Sequence, residues 1–314
     1  KWLKAGDSVI LSCEVINSVD SDWSFSWYRA FPPNEGLERV MQNNGRSYSV
    51  QRLPDSPRAA GGVYALSSVN GNHTGVYACR AERRGSTKDT LNSMPEHLWV
   101  ADASPPAASL SISPNRSQHF VHDSISLSCE VQGNSSEWRL IMLTAEGALS
   151  NCHLLVQEPR ELTCNITGIY MYESGVYWCQ FGTGVYSNAI NVTVSGGDTV
   201  LESPVLPLAE GDSLTLRCLV KAGVANGSKV EFYKDGSLLT TQTVNIMIIP
   251  NISKSDEGMY KCKGPTHSES PSSWVAVRGE TELFYNVFSS LFSPPWNSKG
   301  STCTQSCLFC FILF

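Results

Sequence analysis

One pattern occurs three times in this chain, and it limits the fold more than any other property. Asp-Ser-x-x-Leu-x-Cys runs from Asp7 to Cys13, from Asp123 to Cys129 and from Asp212 to Cys218. In each copy apolar residues alternate with others: Val9, Leu11, Cys13 and Val15; Ile125, Leu127, Cys129 and Val131; Leu214, Leu216, Cys218 and Val220. Period-two alternation makes each copy a strand whose apolar face, sulfur included, points into a core. Downstream of each stands Gly-x-Tyr-x-Cys, at Gly75, Tyr77 and Cys79, at Gly175, Tyr177 and Cys179, and at Gly258, Tyr260 and Cys262. A cysteine on each of two strands that face the same core predicts a bridge across that core: Cys13 to Cys79, Cys129 to Cys179 and Cys218 to Cys262. Each bridge closes a long loop and stabilises the fold by a few kcal/mol, chiefly by restricting the unfolded chain.

Between the paired cysteines a large aromatic is needed to pack on the disulfide, and Trp27, Trp138 and Phe232 stand in those places. The tyrosine two before the second cysteine can hydrogen-bond back to the corner preceding its strand, as in the tyrosine corner of an immunoglobulin sandwich. The chain therefore reads as all-β: three tandem immunoglobulin-like β-sandwiches followed by an irregular C-terminal tail. Ser-Pro-Pro within Ala103 to Ala107, and Gly196-Gly197, read as short linkers. They set the units at 1–103, 104–197 and 198–279, with a non-immunoglobulin tail at 280–314. The long first interval, with Trp27-Tyr28-Arg29 and then Gly36-Leu37-Glu38, predicts a variable-type first unit with extra edge strands and an N-terminal strand that is incomplete as given. His73 stands two before Gly75, where an Asp is usual, so the Asp-based salt bridge of such folds is not expected there.

Eleven cysteines make an oxidising compartment the natural setting. Seven Asn-x-Ser/Thr acceptors agree: Asn72, Asn115, Asn134, Asn165, Asn191, Asn226 and Asn251. Strand alternation turns Asn165 and Asn191 outward, where a sugar can attach. The expected location is extracellular, on the external side of the plasma membrane. A net charge of −6 lacks the basic face that nucleic acid requires. No signal segment precedes Lys1, so the chain is expected to begin after processing or to be incomplete. The apolar run Cys307 to Phe314 is far short of the roughly 20 residues of a spanning helix. Cys152 and Cys164 are expected to pair with each other, although four cysteines in one unit permit three pairings. A zinc site using His153 is the rival reading, and no second Cys/His pair with finger-like spacing supports it. Cys307 and Cys310 equally lack a second pair; with Cys303 they are expected to be free thiols.

At this point the residues resemble the Fc receptor and Fc receptor-like branch of the immunoglobulin superfamily. In the third unit the likeness is carried by Glu210-Gly211-Asp212-Ser213, by Phe232-Tyr233-Lys234-Asp235-Gly236 and by Ser255-Asp256-Glu257-Gly258-Met259-Tyr260-Lys261-Cys262. In the second it is carried by Ser174-Gly175-Val176-Tyr177-Trp178-Cys179 and Ser187-Asn188-Ala189-Ile190. The resemblance covers residues 1 to about 279. It implies a cell-surface immune receptor ectodomain that binds immunoglobulin Fc or another glycoprotein through the second unit's loops and its junction with the first. It also implies membrane anchoring; since no Tyr-x-x-Leu or Tyr-x-x-Ile pair occurs in the tail, signalling is expected to run through an associated subunit or a segment missing here. The alternatives are a cell adhesion molecule of the same fold and a soluble decoy form of the receptor.

Two loops are candidate contacts. Gly182, Thr183, Gly184 and Tyr186 belong to a predicted hairpin between the last two strands of the second unit, where the plain reading is a turn. Arg83 and Arg84, beside Arg80 and Lys88, follow the Tyr-x-Cys strand of the first unit, and loops at that end often recognise partners. The first unit carries 11 basic and 11 acidic residues and the second 3 and 7, so charge is uneven along the chain. For catalysis there is no Gly-x-Ser-x-Gly, no His-Glu-x-x-His and no phosphate loop. The reading is a non-enzyme with no catalytic residue, no metal ligand and no cofactor.

Overall fold

In a computed structural model, the structure describes residues 2–278 apart from 16–22, 43–44, 55–61, 84–89, 102–106, 153–154, 222, 224–227 and 266, together with 311–313. Arg84, Lys88, His153, Asn226 and the tail cysteines thus lie outside the described residues, as does most of the first linker. The described chain is built of strands joined by turns and single-turn 3₁₀ helices. Three sandwiches follow one another, each with two sheets and an inter-sheet disulfide.

In the first unit Val9–Val15 pairs antiparallel with Val63–Leu66, and a short strand, Phe311–Leu313, runs parallel along its other edge. The facing sheet runs in the order Trp2–Lys4, Glu96–Ala101, Gly75–Arg83, Trp23–Phe31, Ser47–Arg52, Glu38–Met41. The last two strands extend this sheet beyond Trp23–Phe31, with Glu38–Met41 at its edge. In the second unit Ala108–Ser113, Ile125–Val131, Glu161–Ile166 and Leu155–Glu158 form one sheet. Its partner sheet runs Gln118–Phe120, Val185–Ser195, Gly175–Phe181, Trp138–Thr144, Leu149–Asn151. The third unit sets Thr199–Glu202, Leu214–Val220 and Ile246–Ile249 against Ser237–Gln242, Val230–Lys234, Gly258–Lys263 and Ser273–Val275.

The repeated motifs account for each core. Cys13 is bonded to Cys79, Cys129 to Cys179 and Cys218 to Cys262, with Cα atoms 6.3, 6.4 and 5.9 Å apart, inside the range a disulfide spans. Cys152 is bonded to Cys164, so neither sulfur is a thiolate that could hold zinc. Trp27, Trp138 and Phe232 are buried in the cores that contain these bridges. Every Tyr-x-Cys tyrosine closes its corner: Tyr77 donates to the His73 carbonyl at 2.7 Å, Tyr177 to Glu173 at 2.7 Å and Tyr260 to Asp256 at 2.6 Å. The corner itself is a 3₁₀ turn whose last side chain accepts the backbone N–H that opens it. Glu173 accepts from Tyr170 and Asp256 from Ser253, both at 2.8 Å. In the first unit the imidazole Nδ1 of His73 accepts from Asn70 at 3.0 Å, so a ring nitrogen performs the carboxylate's local task. The motif glycine has its own reason: a Cβ at Gly175 would run into the Leu143 carbonyl on the neighbouring strand.

Second and third units meet through polar groups. Gln118, fully buried, donates to the Pro271 carbonyl and to Ser273 Oγ, each at 2.7 Å, and accepts from the Leu201 N–H at 2.8 Å. Beside it His119 lies buried with Nε2 against the Arg116 carbonyl at 2.9 Å, and Arg116 pairs with Asp123 at 2.7 Å. Burial, reinforced by the Arg116 charge, pushes the His119 imidazole down to about 4. The native ring is therefore neutral where the unfolded ring, near its ordinary value of about 6.5, already binds a proton. Stability is fully present above pH ~6.5 and erodes as pH falls toward ~4, by an amount on the order of 1 to 3 kcal/mol. Thermal melting of the chain between those limits should show the decline, and His119→Gln should flatten that part of the curve.

Candidate functional site

The sheets that carry the Tyr-x-Cys strands in the first two units are apolar on both faces. Val76 and Val176, each directly after its motif glycine, point away from their own disulfides, as do Ala78 and Trp178 two residues on. Both rows are buried because the two sheets pack against each other in one shared layer. Trp99 and Trp178 lie with ring centroids 5.9 Å apart, and Trp99 meets Tyr186 edge-on at 5.8 Å. Tyr28, Tyr48, Ile141 and Leu143 complete the middle of the layer. At one rim Arg46 pairs with Glu146 at 2.6 Å, a half-exposed contact that orients more than it stabilises. The first unit's broad sheet face is therefore covered by the second unit. What remains open between them is the perimeter of the layer and the strand-end loops.

At that perimeter, where the first unit's Trp23–Phe31 strand ends, lies a cleft of about 380 Å³. Its first wall is the turn Phe31, Pro32, Pro33, Asn34 and Glu35; its second is Arg139, Ile141, Asn151, Gln180, Gly182 and Thr183. Asn34 fixes the turn by accepting the Gly36 N–H at 3.0 Å and donating its own N–H to Ser49 Oγ at 2.8 Å. Gln180 fixes the opposite wall: it accepts from Trp178 Nε1 at 3.1 Å and donates to the Gly182 carbonyl at 2.9 Å, which ties the hairpin tip to the aromatic layer. Arg139 is exposed and donates to the Ser136 and Trp138 carbonyls, both at 2.9 Å. Proline rings, the Ile141 side chain and a rim of amides with one cation and one anion line the cleft.

The residues singled out from sequence fall in different places. Gly182, Thr183 and Gly184 form an exposed tip beside the cleft, with Gly182 at a φ of +55°. Tyr186 is half-buried in the shared layer; burial pushes its phenol up to about 12, against the Arg29 charge, and its hydroxyl reaches the Thr183 carbonyl at 3.3 Å. Arg83 is exposed at the other end of the first unit: Trp23 pairs with Arg83 where that strand begins, whereas the cleft lies where it ends. Eight residues of strand separate the two, roughly 25 Å, so the basic loop and the hairpin tip do not form one surface. Arg80 is engaged with Glu38 at 2.6 Å and stacks over Tyr28 at 5.0 Å. Sequence reading missed the Pro32–Glu35 turn and Arg139, because their value arises only from the apposition of two units. The Pro-Pro-Asn-Glu-Gly run was the one available signal.

Asn72, Asn115, Asn134, Asn165, Asn191 and Asn251 are all exposed. Among the described residues no group of three His, Cys, Asp or Glu side chains is placed to hold a metal ion, and no helix is long and apolar enough to cross a membrane.

Comparison with known proteins agrees with this architecture. A family model described as an immunoglobulin domain matches residues 198–277. Fc receptor-like protein 5 of Mus musculus is 36% identical over 107 residues, covering 34% of this chain and 18% of that protein. Low affinity immunoglobulin gamma Fc region receptor III-A of Sus scrofa is 27% identical over 165 residues, covering 51% of this chain and 59% of the receptor. Cell adhesion molecule Dscam2 of Drosophila melanogaster is 31% identical over 172 residues, 48% of this chain and 8% of the relative. The chain thus spans less than two thirds of each of these relatives.

The shared layer yields a stability prediction. Trp178→Ala removes a fully buried indole that both units contact, and should cost about 3 to 5 kcal/mol. Calorimetry should show the first two units losing stability together while the third keeps its melting transition.

Proposed function

The chain is an Fc receptor-like member of the immunoglobulin superfamily, and from that premise we propose that it is the ligand-binding part of a cell-surface immune receptor. The ligand is immunoglobulin Fc or another glycoprotein. It docks at the cleft between the first and second units, on Gly182, Thr183 and Gly184 from one side and Pro33, Asn34 and Glu35 from the other. The observation that carries this reading is the covered sheet face: with the apolar surfaces of both units buried against each other, the exposed hairpin tip beside a two-walled cleft is a concave surface open to a partner among the described residues.

The reading divides the chain at 1–103, 104–197 and 198–279 with a tail at 280–314, assigns it no catalysis, and places it on the external side of the plasma membrane. Exposed sequons and four disulfides support that location. Signalling runs through an associated subunit or through a segment outside the given sequence. A second reading, an adhesion molecule, is favoured by the likeness to Dscam2; aggregation of coated beads in the absence of immunoglobulin would support it.

Surface plasmon resonance of the glycosylated chain against immunoglobulin classes and leukocyte glycoproteins is the test. Thr183→Arg and Asn34→Arg, each exposed and outside the cores, should weaken the interaction at least tenfold, about 1.4 kcal/mol. Replacing Arg83 and Arg84 together by Glu should leave it within twofold. The reverse pattern would move the contact to the far loop of the first unit.

A further inference from the structure

The third unit presents the same sheet face as the first two, and among the described residues nothing covers it. Met259 directly follows its motif glycine, as Val76 and Val176 do in theirs. Those two valines are buried in the shared layer, whereas Met259 is 39% exposed. Its cross-strand neighbour Trp274 is 55% exposed and Leu238, opposite Tyr233, is 54% exposed. A tryptophan, a methionine and a leucine on one open sheet make the kind of patch that marks an interaction site. None of the seven sequons falls on the strands Val230–Lys234, Ser237–Gln242, Gly258–Lys263 or Ser273–Val275 that build this face.

We propose that this face pairs with the same face of a second copy of the chain. Two features select that occupant. The chain itself shows the mode, since its first and second units bury the equivalent faces against each other through Trp99 and Trp178. The charges on the third face are also self-complementary: Lys261 pairs with Glu269 at 2.6 Å, and Lys263 lies 4.0 Å from Glu231. Two lysines and two glutamates on one patch allow a two-fold partner to set each cation opposite an anion, which an isologous interface requires. The aliphatic stem of Lys261 extends its ammonium over the Tyr233 ring at 5.2 Å and adds apolar surface. Trp274 and Met259 form the centre of the interface, and the ion pairs form its rim. This pairing leaves the cleft between the first two units free and does not depend on what that cleft binds.

Sedimentation velocity of the glycosylated chain without any ligand, from about 1 to 100 µM, tests it. A reversible dimer is expected, and Trp274→Glu should raise its dissociation constant at least tenfold, as should Met259→Glu. Ile248→Glu, on the other sheet of the same unit and 61% exposed, should leave dimerisation unchanged. Circular dichroism confirms that each variant is folded. A monomer at every concentration would overturn the proposal. So would a dimer that persists in folded Trp274→Glu, or one that a non-reducing gel shows to be disulfide-linked.

Discussion

The apolar layer between the first and second units is the interaction on which the rest of the arrangement depends. Its two halves come from the strands that hold the Tyr-x-Cys motifs, so one stretch of sequence serves two cores at once: Tyr77, Cys79, Tyr177 and Cys179 face inward while Val76, Ala78, Val176 and Trp178 face the neighbouring unit. A strand that is buried on both faces loses the usual alternation of apolar and polar residues. Gly75–Arg83 and Gly175–Phe181 are buried along most of their length for that reason. The layer also fixes the distance between the Pro32–Glu35 turn and the Gly182–Gly184 tip, and so makes the cleft.

The two junctions differ in physical character. The first is an aromatic and aliphatic contact, whose strength comes from removing apolar surface from water. The second is organised by Gln118, which satisfies three backbone or hydroxyl groups of the third unit, with Ser117 Oγ 3.2 Å from Ser203 Oγ and 3.1 Å from Ser273 Oγ. A small polar contact of this kind specifies orientation but stabilises modestly, since each hydrogen bond is net about 1 kcal/mol. The first two units therefore behave as one block, while the third is held at a defined angle by a contact that a pH-sensitive neighbour, His119, can weaken. That division fits a molecule whose ligand cleft belongs to the block and whose third unit is free to engage a copy of itself.

Much of the fold was legible because the determinants are local and repeated. Asp-Ser-x-x-Leu-x-Cys and Gly-x-Tyr-x-Cys each encode a strand face, and Trp27 and Phe232, each 14 residues after the first cysteine, stand opposite Cys79 and Cys262. Trp138, nine residues after Cys129, does not hold the equivalent place, which the register gives to Leu140 opposite Cys179. The function of His73 was not legible: only the turn geometry shows an imidazole nitrogen accepting a bond that carboxylates accept in the other units. The site was legible in part. Gly182-Thr183-Gly184 signals a hairpin tip, but nothing in the sequence says that Tyr186, two residues later, turns into an inter-unit layer, or that Arg83 lies at the opposite end of the sheet from that tip. Those facts depend on how two units dock, and docking is decided by side chains such as Trp99 and Trp178 that read, one unit at a time, as exposed.

The face-to-face docking of the first two units is the central claim, and one pair of positions tests it directly. A Cβ placed on Gly147 of the second unit would lie 3.3 Å from the Cβ of Met94 in the first, close to the spacing of about 3.5 to 4.5 Å that a disulfide requires. Although the φ of +77° at Gly147 costs a cysteine about 1 to 2 kcal/mol, a bridge contributes about 2 to 4 kcal/mol. A chain carrying Met94→Cys and Gly147→Cys together should, on secretion, form a bridge between positions 94 and 147, recovered as one linked peptide by non-reducing mass spectrometry, with the four native bridges intact. Recovery of positions 94 and 147 as unlinked thiols in a folded chain would contradict the docking and, with it, the cleft.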